Sequence, residues 1–286
     1  MRIALIAAVA ALLAGGAALA VFYLIQDRMI FHPRPYPAGY VADARSRGAV
    51  TVAYKAGGLA MTAYYVPPAD GSRPETTGTA AIPVPRRLWL VFGGNGSLAL
   101  HFQHLAATCP DRSAGFLLVE YPGYGDCPGS PSVAGTRLAA NGAAAALARR
   151  MGFDSTAALA KSTSFGAAGH SLGAAVALRF ADDHPETTRL TLLAPFTRLS
   201  DMVRRVAGPG VSLLLKRDFD NIARLRELSK RTAHPAIAIV HGARDTLIPA
   251  TMSRTMAAEF GNMVTLAELP DADHQTVVDS LGPSLK

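Results

Sequence analysis

Cysteine, tryptophan and charge are all scarce in this sequence, which has two cysteines, one tryptophan and 17% charged residues among 286. Two thiols cannot build a disulfide framework, and no Cys/His cluster has zinc-finger spacing, so a disulfide scaffold and a structural-metal domain are both excluded. Low charge beside 50% hydrophobic residues also excludes a disordered chain. The phosphate-binding signatures are missing as well: no Gly-Lys-Ser/Thr ending and no Gly-x-Gly-x-x-Gly follow a strand-like run. Acidic residues are outnumbered 21 to 28, for a net charge of +7. That excess suits nucleic acid or an anionic membrane and identifies neither by itself.

The amino terminus favours the membrane, and no nucleic-acid partner is expected. From Ile3 to Ile25 no charged side chain occurs over 23 residues, and a helix of that length at about 1.5 Å per residue crosses the roughly 30 Å hydrocarbon core. The alternative is a cleaved signal peptide, because Arg2 supplies a basic start and Ala18-Leu19-Ala20 has the small-x-small form of a cleavage site. The apolar run continues past that site through Ile25, and Tyr23 suits an interface, which favours an anchor at residues 1–25. Arg2 on one side faces Arg28 and Arg34 on the other; the expected orientation places the amino terminus in the cytoplasm and residues 26–286 outside it.

Beyond the anchor the chain alternates strand-like and helix-like runs. Ala49–Ala56 and Leu59–Val66, parted by Gly57-Gly58, read as a hairpin. Pro67–Pro85 reads as a surface insertion. Strands are then expected at Leu88–Phe92, Phe116–Glu120, Phe165–His170, Leu190–Leu193, Ala236–Val240 and Val264–Leu269. Helices are expected up to Thr108 and over Ser132–Met151 and Leu172–Asp182. Strand followed by helix, repeated, predicts an α/β fold with a mostly parallel sheet covered on both faces.

Gly169-His170-Ser171-Leu172-Gly173 fits Gly-x-Ser-x-Gly between a strand and a helix, the context in which a strained turn lifts a serine hydroxyl above the sheet. A hydroxyl needs a histidine to take its proton and a carboxylate to orient that histidine. His274 and Asp245 follow the last two strands, in the order Ser171, Asp245, His274, and Asp218 and Asp220 are reserve acids. His170 is expected to pack beside the sheet and His241 to support the acid's loop. His101, His104 and His184 read as surface or helix-end residues, and Asp273 could hold the loop of His274. The loop Phe92-Gly93-Gly94-Asn95-Gly96-Ser97 could curl over the site, so the backbone N–H groups of Asn95 and Leu172 are the expected oxyanion donors.

Several motifs occur together in one order: Gln26–Pro33 after an anchor, Phe92–Gly96, Tyr121-Pro122-Gly123-Tyr124-Gly125, Gly129-Ser130-Pro131-Ser132, the serine turn, Pro195-Phe196, Arg217–Asn221 and His241–Asp245. The combination resembles the membrane-anchored α/β-hydrolase-domain family that includes acyl-protein depalmitoylases and lysophospholipid lipases. The resemblance implies an α/β-hydrolase fold with a short helical cap at about 198–231 and a serine hydrolase that needs no cofactor or metal. The implied substrate is a small acyl ester, thioester or lipid-like molecule; a serine peptidase acting on short peptides, or a binding protein on the same fold, are the alternatives. Two positions depart from the pattern: Gly93 stands where histidine is usual and Cys127 where serine is common. Nine basic and four acidic residues between Arg198 and Arg231 read either as a solvated face or as a second membrane contact. Cys109 and Cys127 are expected as free thiols, one disulfide being the alternative in an oxidising compartment.

Overall fold

The computed structural model describes residues 2–71, 82–215 and 219–285. Most of the Pro67–Pro85 insertion, together with Lys216, Arg217 and Asp218, lies outside these residues. A long helix α1 (Arg2–Ile30) and a short α2 (Tyr40–Ser46) precede the hairpin β1 (Val50–Ala56) and β2 (Leu59–Val66), which turns at Gly57 and Gly58, both at positive φ. There follow β3 (Arg87–Phe92), α3 (Leu105–Thr108), β4 (Ala114–Val119), α4 (Val133–Arg150), α5 (Thr156–Leu159), β5 (Ser164–His170), α6 (Leu172–Asp183) and β6 (Thr187–Leu193). The chain closes with α7 (Leu199–Ala207), α8 (Pro209–Ser212), α9 (Asn221–Ser229), β7 (Ala236–Gly242), α10 (Ala250–Glu259), β8 (Val264–Leu269) and α11 (Leu281–Ser284). Side-chain oxygens of Ser132, Ser155 and Asp220 accept backbone N–H bonds at the starts of α4, α5 and α9, satisfying donors that a helix start leaves open.

Eight strands form one sheet in the order β1-β2-β4-β3-β5-β6-β7-β8, antiparallel for β1/β2 and β2/β4 and parallel from β4 onward. The parallel strands are flanked by helices on both faces, as their continuous apolar runs require, and Trp89, Phe92, Phe116 and Phe165 are fully buried there. Phe92 is in register with Gly169, His170 with Leu193, Leu193 with Val240, and Gly242 with Leu269. These strands therefore end level with one another, and the loops after β3, β5, β7 and β8 share one edge of the sheet, where open α/β sheets bind ligands.

Two local expectations are corrected. The strand expected at Phe116–Glu120 is Ala114–Val119, because the Glu120 carboxylate turns inward to accept the Ala99 N–H at 3.2 Å. The single helix expected before Thr108 is a 3₁₀ turn at Ala99–Phe102 followed by one turn of α3, which stops ahead of Pro110. Both cysteines are buried free thiols, with Cys109 Sγ 3.7 Å from Leu285 O and Cys127 Sγ 3.3 Å from Thr62 N. The alternative disulfide is not formed.

The serine turn depends on missing side chains. A Cβ on Gly173 would overlap Phe92 O and lie 2.6 Å from Gly93 O; one on Gly169 would overlap Gly173 and lie 2.6 Å from Ala174 N. These neighbours are backbone atoms held by the sheet and cannot step aside. Gly169→Ala and Gly173→Ala are each expected to destabilise the protein by more than about 3 kcal/mol. Gly210→Ala, which meets nothing within 4 Å, is expected to change stability by less than about 1 kcal/mol. Thermal unfolding of the three variants checks this, and equal melting temperatures would contradict it.

Candidate active site

Ser171 ends β5 and starts α6 with φ 55° and ψ −117°, a backbone conformation that an L-residue adopts only when its surroundings enforce it. The enforcement is visible: Ser171 N donates to Leu193 O at 2.8 Å, and α6 is seated on the glycines just described. Strain of this kind, about 1–3 kcal/mol, fixes the direction of one side chain. The Leu172 N–H then belongs to the open first turn of α6, where no intrahelical acceptor exists.

The loops after β7 and β8 meet at the same edge of the sheet, where Ile248 borders one cavity with Ser171 and His274 O is bonded to the adjoining His170. Asp245 Oδ2 accepts from His274 Nδ1 at 2.7 Å, while Oδ1 accepts the N–H groups of Leu247 at 2.9 Å and Ile248 at 2.8 Å. Burial alone would raise this carboxyl; the bonds from His241, His274 and the Ile248 backbone overcome it and hold Asp245 well below the usual carboxylate range. His241 Nε2 donates to Ile248 O at 2.9 Å and lies 3.3 Å from Asp245 Oδ2, while its Nδ1 accepts from Ser253 at 2.6 Å. It supports the acid's loop as expected. Asp273 Oδ1 accepts from the N–H groups of Gln275 and Thr276, both at 2.8 Å, and so shapes the loop that carries His274. The reserve acid Asp220 is corrected: it caps α9 and pairs with Arg198 at 3.1 Å. Asp218 lies outside the described residues.

His170 does more than pack beside the sheet. Its Nε2 donates to His274 O at 2.8 Å and the two rings lie 4.7 Å apart, so it fixes the backbone of the neighbouring histidine. The Gly93–Ser97 loop is held from two sides. Tyr121 Oη donates to Gly93 O at 3.0 Å, and Asn95 O accepts from the His32 N–H at 3.0 Å and from the Tyr124 hydroxyl. A Cβ on Gly93 would lie 2.9 Å from Ser97 Cβ, which accounts for glycine at that position.

A cavity of about 290 Å³ opens above Ser171, with Asn95 and Leu172 on its border. Its walls are almost entirely apolar: Phe22, Met29 and Ile30 from α1, Leu199, Met202, Val203, Val206 and Ala207 from α7, and Phe196, Leu247 and Ile248 from the loops after β6 and β7. Sequence reasoning missed these walls. Four apolar positions of α7 recur at 199, 202, 203 and 206, one helical face, and were signal enough. Met29, His32, Tyr121 and Tyr124 all lie in motifs that carried the family resemblance without an assigned role.

No protein-family model matches the chain. A protein of Mycobacterium tuberculosis described as uncharacterised, found in two strains, is 28% identical over 271 residues, 94% of this chain and 87% of that protein. Among solved structures, the esterase Pf2001 of Pyrococcus furiosus superposes with a TM-score of 0.61 at 14% identity, covering 89% of this chain and 93% of the esterase. An α/β-hydrolase from Vibrio vulnificus gives 0.62 at 16% identity over 84% and 80%. The protein has the α/β-hydrolase fold. A third α/β-hydrolase structure, the Xanthomonas campestris protein XC6422, described as a serine hydrolase without a lid, superposes at 0.52 with 14% identity over 88% and 94%. At these identities the likeness establishes the fold, and chemistry has to be argued from the site.

Two buried groups give this α/β-hydrolase fold opposing pH dependences. Burial, then the neighbouring His274, pushes His170 down to about 4. The unfolded chain takes up that proton near pH 6.5 and the folded one does not, so the stability associated with His170 is present above pH 6.5 and is lost as pH falls to about 4. Burial pushes Glu120 up to about 7; its contribution is present below pH 4.5 and is lost as pH rises through 7. Glu120→Gln is expected to raise the melting temperature at pH 8 relative to the parent and to leave the difference smaller at pH 5. An equal difference at both pH values would refute the assignment.

Proposed function

We propose that this protein is a membrane-held serine hydrolase that cleaves carboxylic ester or thioester bonds of acyl or lipid-like substrates through an acyl-enzyme. The observation that carries the proposal is Ser171 on a strained strand-to-helix turn at an apolar cavity, level with a histidine whose Nδ1 is tied to a buried carboxylate. Ser171 Oγ attacks the acyl carbonyl while His274 Nε2 takes its proton. Asp245 holds the ring in the tautomer with Nε2 free and stabilises the imidazolium. The N–H groups of Asn95 and Leu172 receive the oxyanion, as preorganised donors that need no reorientation when charge develops. His274 then returns the proton to the leaving alcohol or thiol, and water repeats the sequence on the acyl-enzyme. Acyl transfer of this kind requires no metal and no cofactor.

The cavity favours acyl chains over peptides. Gln26, Asn95 and Ser171 supply its polar side chains and the remaining walls are hydrocarbon, so a peptide backbone would bury amides without partners. The named fold neighbours, an esterase and a serine hydrolase, point the same way. Membrane attachment rests on α1, whose segment Leu13–Ile30 has a mean hydropathy of 1.3 and is long enough to cross a bilayer. A fluorophosphonate probe is expected to label the protein covalently, and Ser171→Ala to remove both labelling and ester hydrolysis by about 10⁴-fold or more. His274→Ala is expected to match it, and Asp245→Asn to be milder by roughly tenfold to a hundredfold. A pure Ser171→Ala protein that hydrolyses esters at the parent rate would refute the proposal.

A further inference from the structure

The helix proposed to cross the membrane is also a wall of the cavity. Phe22, Met29 and Ile30 of α1 face Met202, Val203 and Val206 of α7 across the opening above Ser171. The two sides are pinned together, because Gln26, buried within the last turns of α1, donates from Nε2 to Leu214 O at 2.7 Å just after α8. Around the mouth large apolar side chains stand in the open: Val206, a wall residue, is 79% exposed, and Leu213, next to Leu214, 85%. The apolar side of α1 thus continues onto the rim of the cap at Val206 and Leu213, with the exposed Arg28, Arg204 and Arg205 beside it. Cationic side chains make a smaller contribution to this surface than their number suggests. Arg224 and Arg231 pair with Asp182, Arg226 with Glu259 and Lys230 with Glu227, leaving Arg204 and Arg205 exposed on α7 among the described residues.

We propose that the mouth of the cavity opens sideways into the bilayer that holds α1. The rim formed by α7, α8 and Leu213 rests in the apolar layer, and an acyl chain already embedded there passes between α1 and α7 to bring its ester or thioester carbonyl to Ser171. The occupant of the exposed rim is a lipid bilayer, and because the rim is apolar, a zwitterionic phosphatidylcholine surface suffices. The cap lies at the interfacial depth of an amphipathic helix, about 5–10 Å into the headgroup and acyl boundary. This inference rests on the hydrolase reading of Ser171 and the membrane reading of α1, and it adds the route by which substrate arrives.

The test uses the full chain in phosphatidylcholine vesicles. An environment-sensitive fluorophore is placed on Leu213→Cys and, as a control, on Lys161→Cys, an exposed position before β5 at the opposite end of the sheet. Cys109 and Cys127 are buried with raised thiol pKa values and compete poorly for the label. The label at 213 is expected to shift to shorter wavelength and to be quenched by lipids brominated along the acyl chain, with the label at 161 unaffected. In parallel, Leu213→Asp is expected to lower the rate on a long-chain ester dispersed in the vesicles about tenfold relative to the rate on a short soluble ester. A label at 213 as wet as the one at 161, or an unchanged ratio of the two rates, overturns lateral entry. Loss of fluorophosphonate reactivity at Ser171 in the parent chain overturns the hydrolase reading instead, and lateral entry of a substrate with it.

Discussion

The backbone of α6 is seated so closely on the ends of β3 and β5 that Gly173 has no room for a single methyl group against Phe92 O and Gly93 O. The other features of the site follow from that contact. It forces Ser171 to positive φ, puts the first open N–H of α6 beside the Gly93–Ser97 loop, and sets the distance between Ser171 and the proposed oxyanion donors by main-chain contact instead of side-chain packing. A side-chain contact relaxes when a neighbour changes rotamer, whereas two main-chain segments in van der Waals contact within a sheet do not. The Gly93–Ser97 loop is held from outside in the same spirit, since three of its fastenings, from His32, Tyr121 and Tyr124, end on carbonyl oxygens.

The second requirement is to keep charge where burial opposes it. Asp245 is buried, yet it accepts bonds from two backbone N–H groups and His274 and lies beside His241, so its ionised form is the stable one. Glu120 is also buried but receives fewer donors, Tyr36 and the Ala99 N–H, and burial prevails there. Two carboxylates in one protein thus end on opposite sides of the normal value, Glu120 being the more deeply buried and the one with fewer donors. The membrane contact proposed above turns on a similar comparison. Each cation near an anionic surface contributes about 1 kcal/mol and screens with salt, whereas a leucine moved from water into hydrocarbon contributes about 1.5–3 kcal/mol. With most described cap cations already paired, the proposed contact rests on the apolar rim.

The fold was legible because its punctuation is local. The glycine pair at 57–58, Ser132 before α4 and the glycines around Ser171 each dictate a backbone feature without help from distant residues. That Ser171, Asp245 and His274 lie at one edge of the sheet could be read because each lies just beyond the end of a strand. The roles of His170 and Tyr124 could not be read, since each depends on a partner far along the chain, 104 residues for His170 and His274. The walls were harder still. Nothing in the order of residues says that α1 and α7, some 170 positions apart, face one another; tertiary contacts such as the bond from Gln26 to Leu214 O place them. The end of β4 was misjudged by the same mechanism, as Glu120 looked like a strand terminus until its tertiary partners were known.

One further consequence follows from the length of α1. A helix of 29 residues is about 43 Å long, and the hydrocarbon core takes up about 30 Å of it. If α1 crosses the bilayer, its last turns emerge as a rigid post and not as a tether, and the cavity is built on that post. Height above the lipid and the facing of the wall are then a single helical register. Each residue inserted below Phe22 would raise the cavity by about 1.5 Å and turn its wall by about 100°. Bilayer thickness, through the tilt it imposes on such a helix, thereby acts as a ruler for the active site.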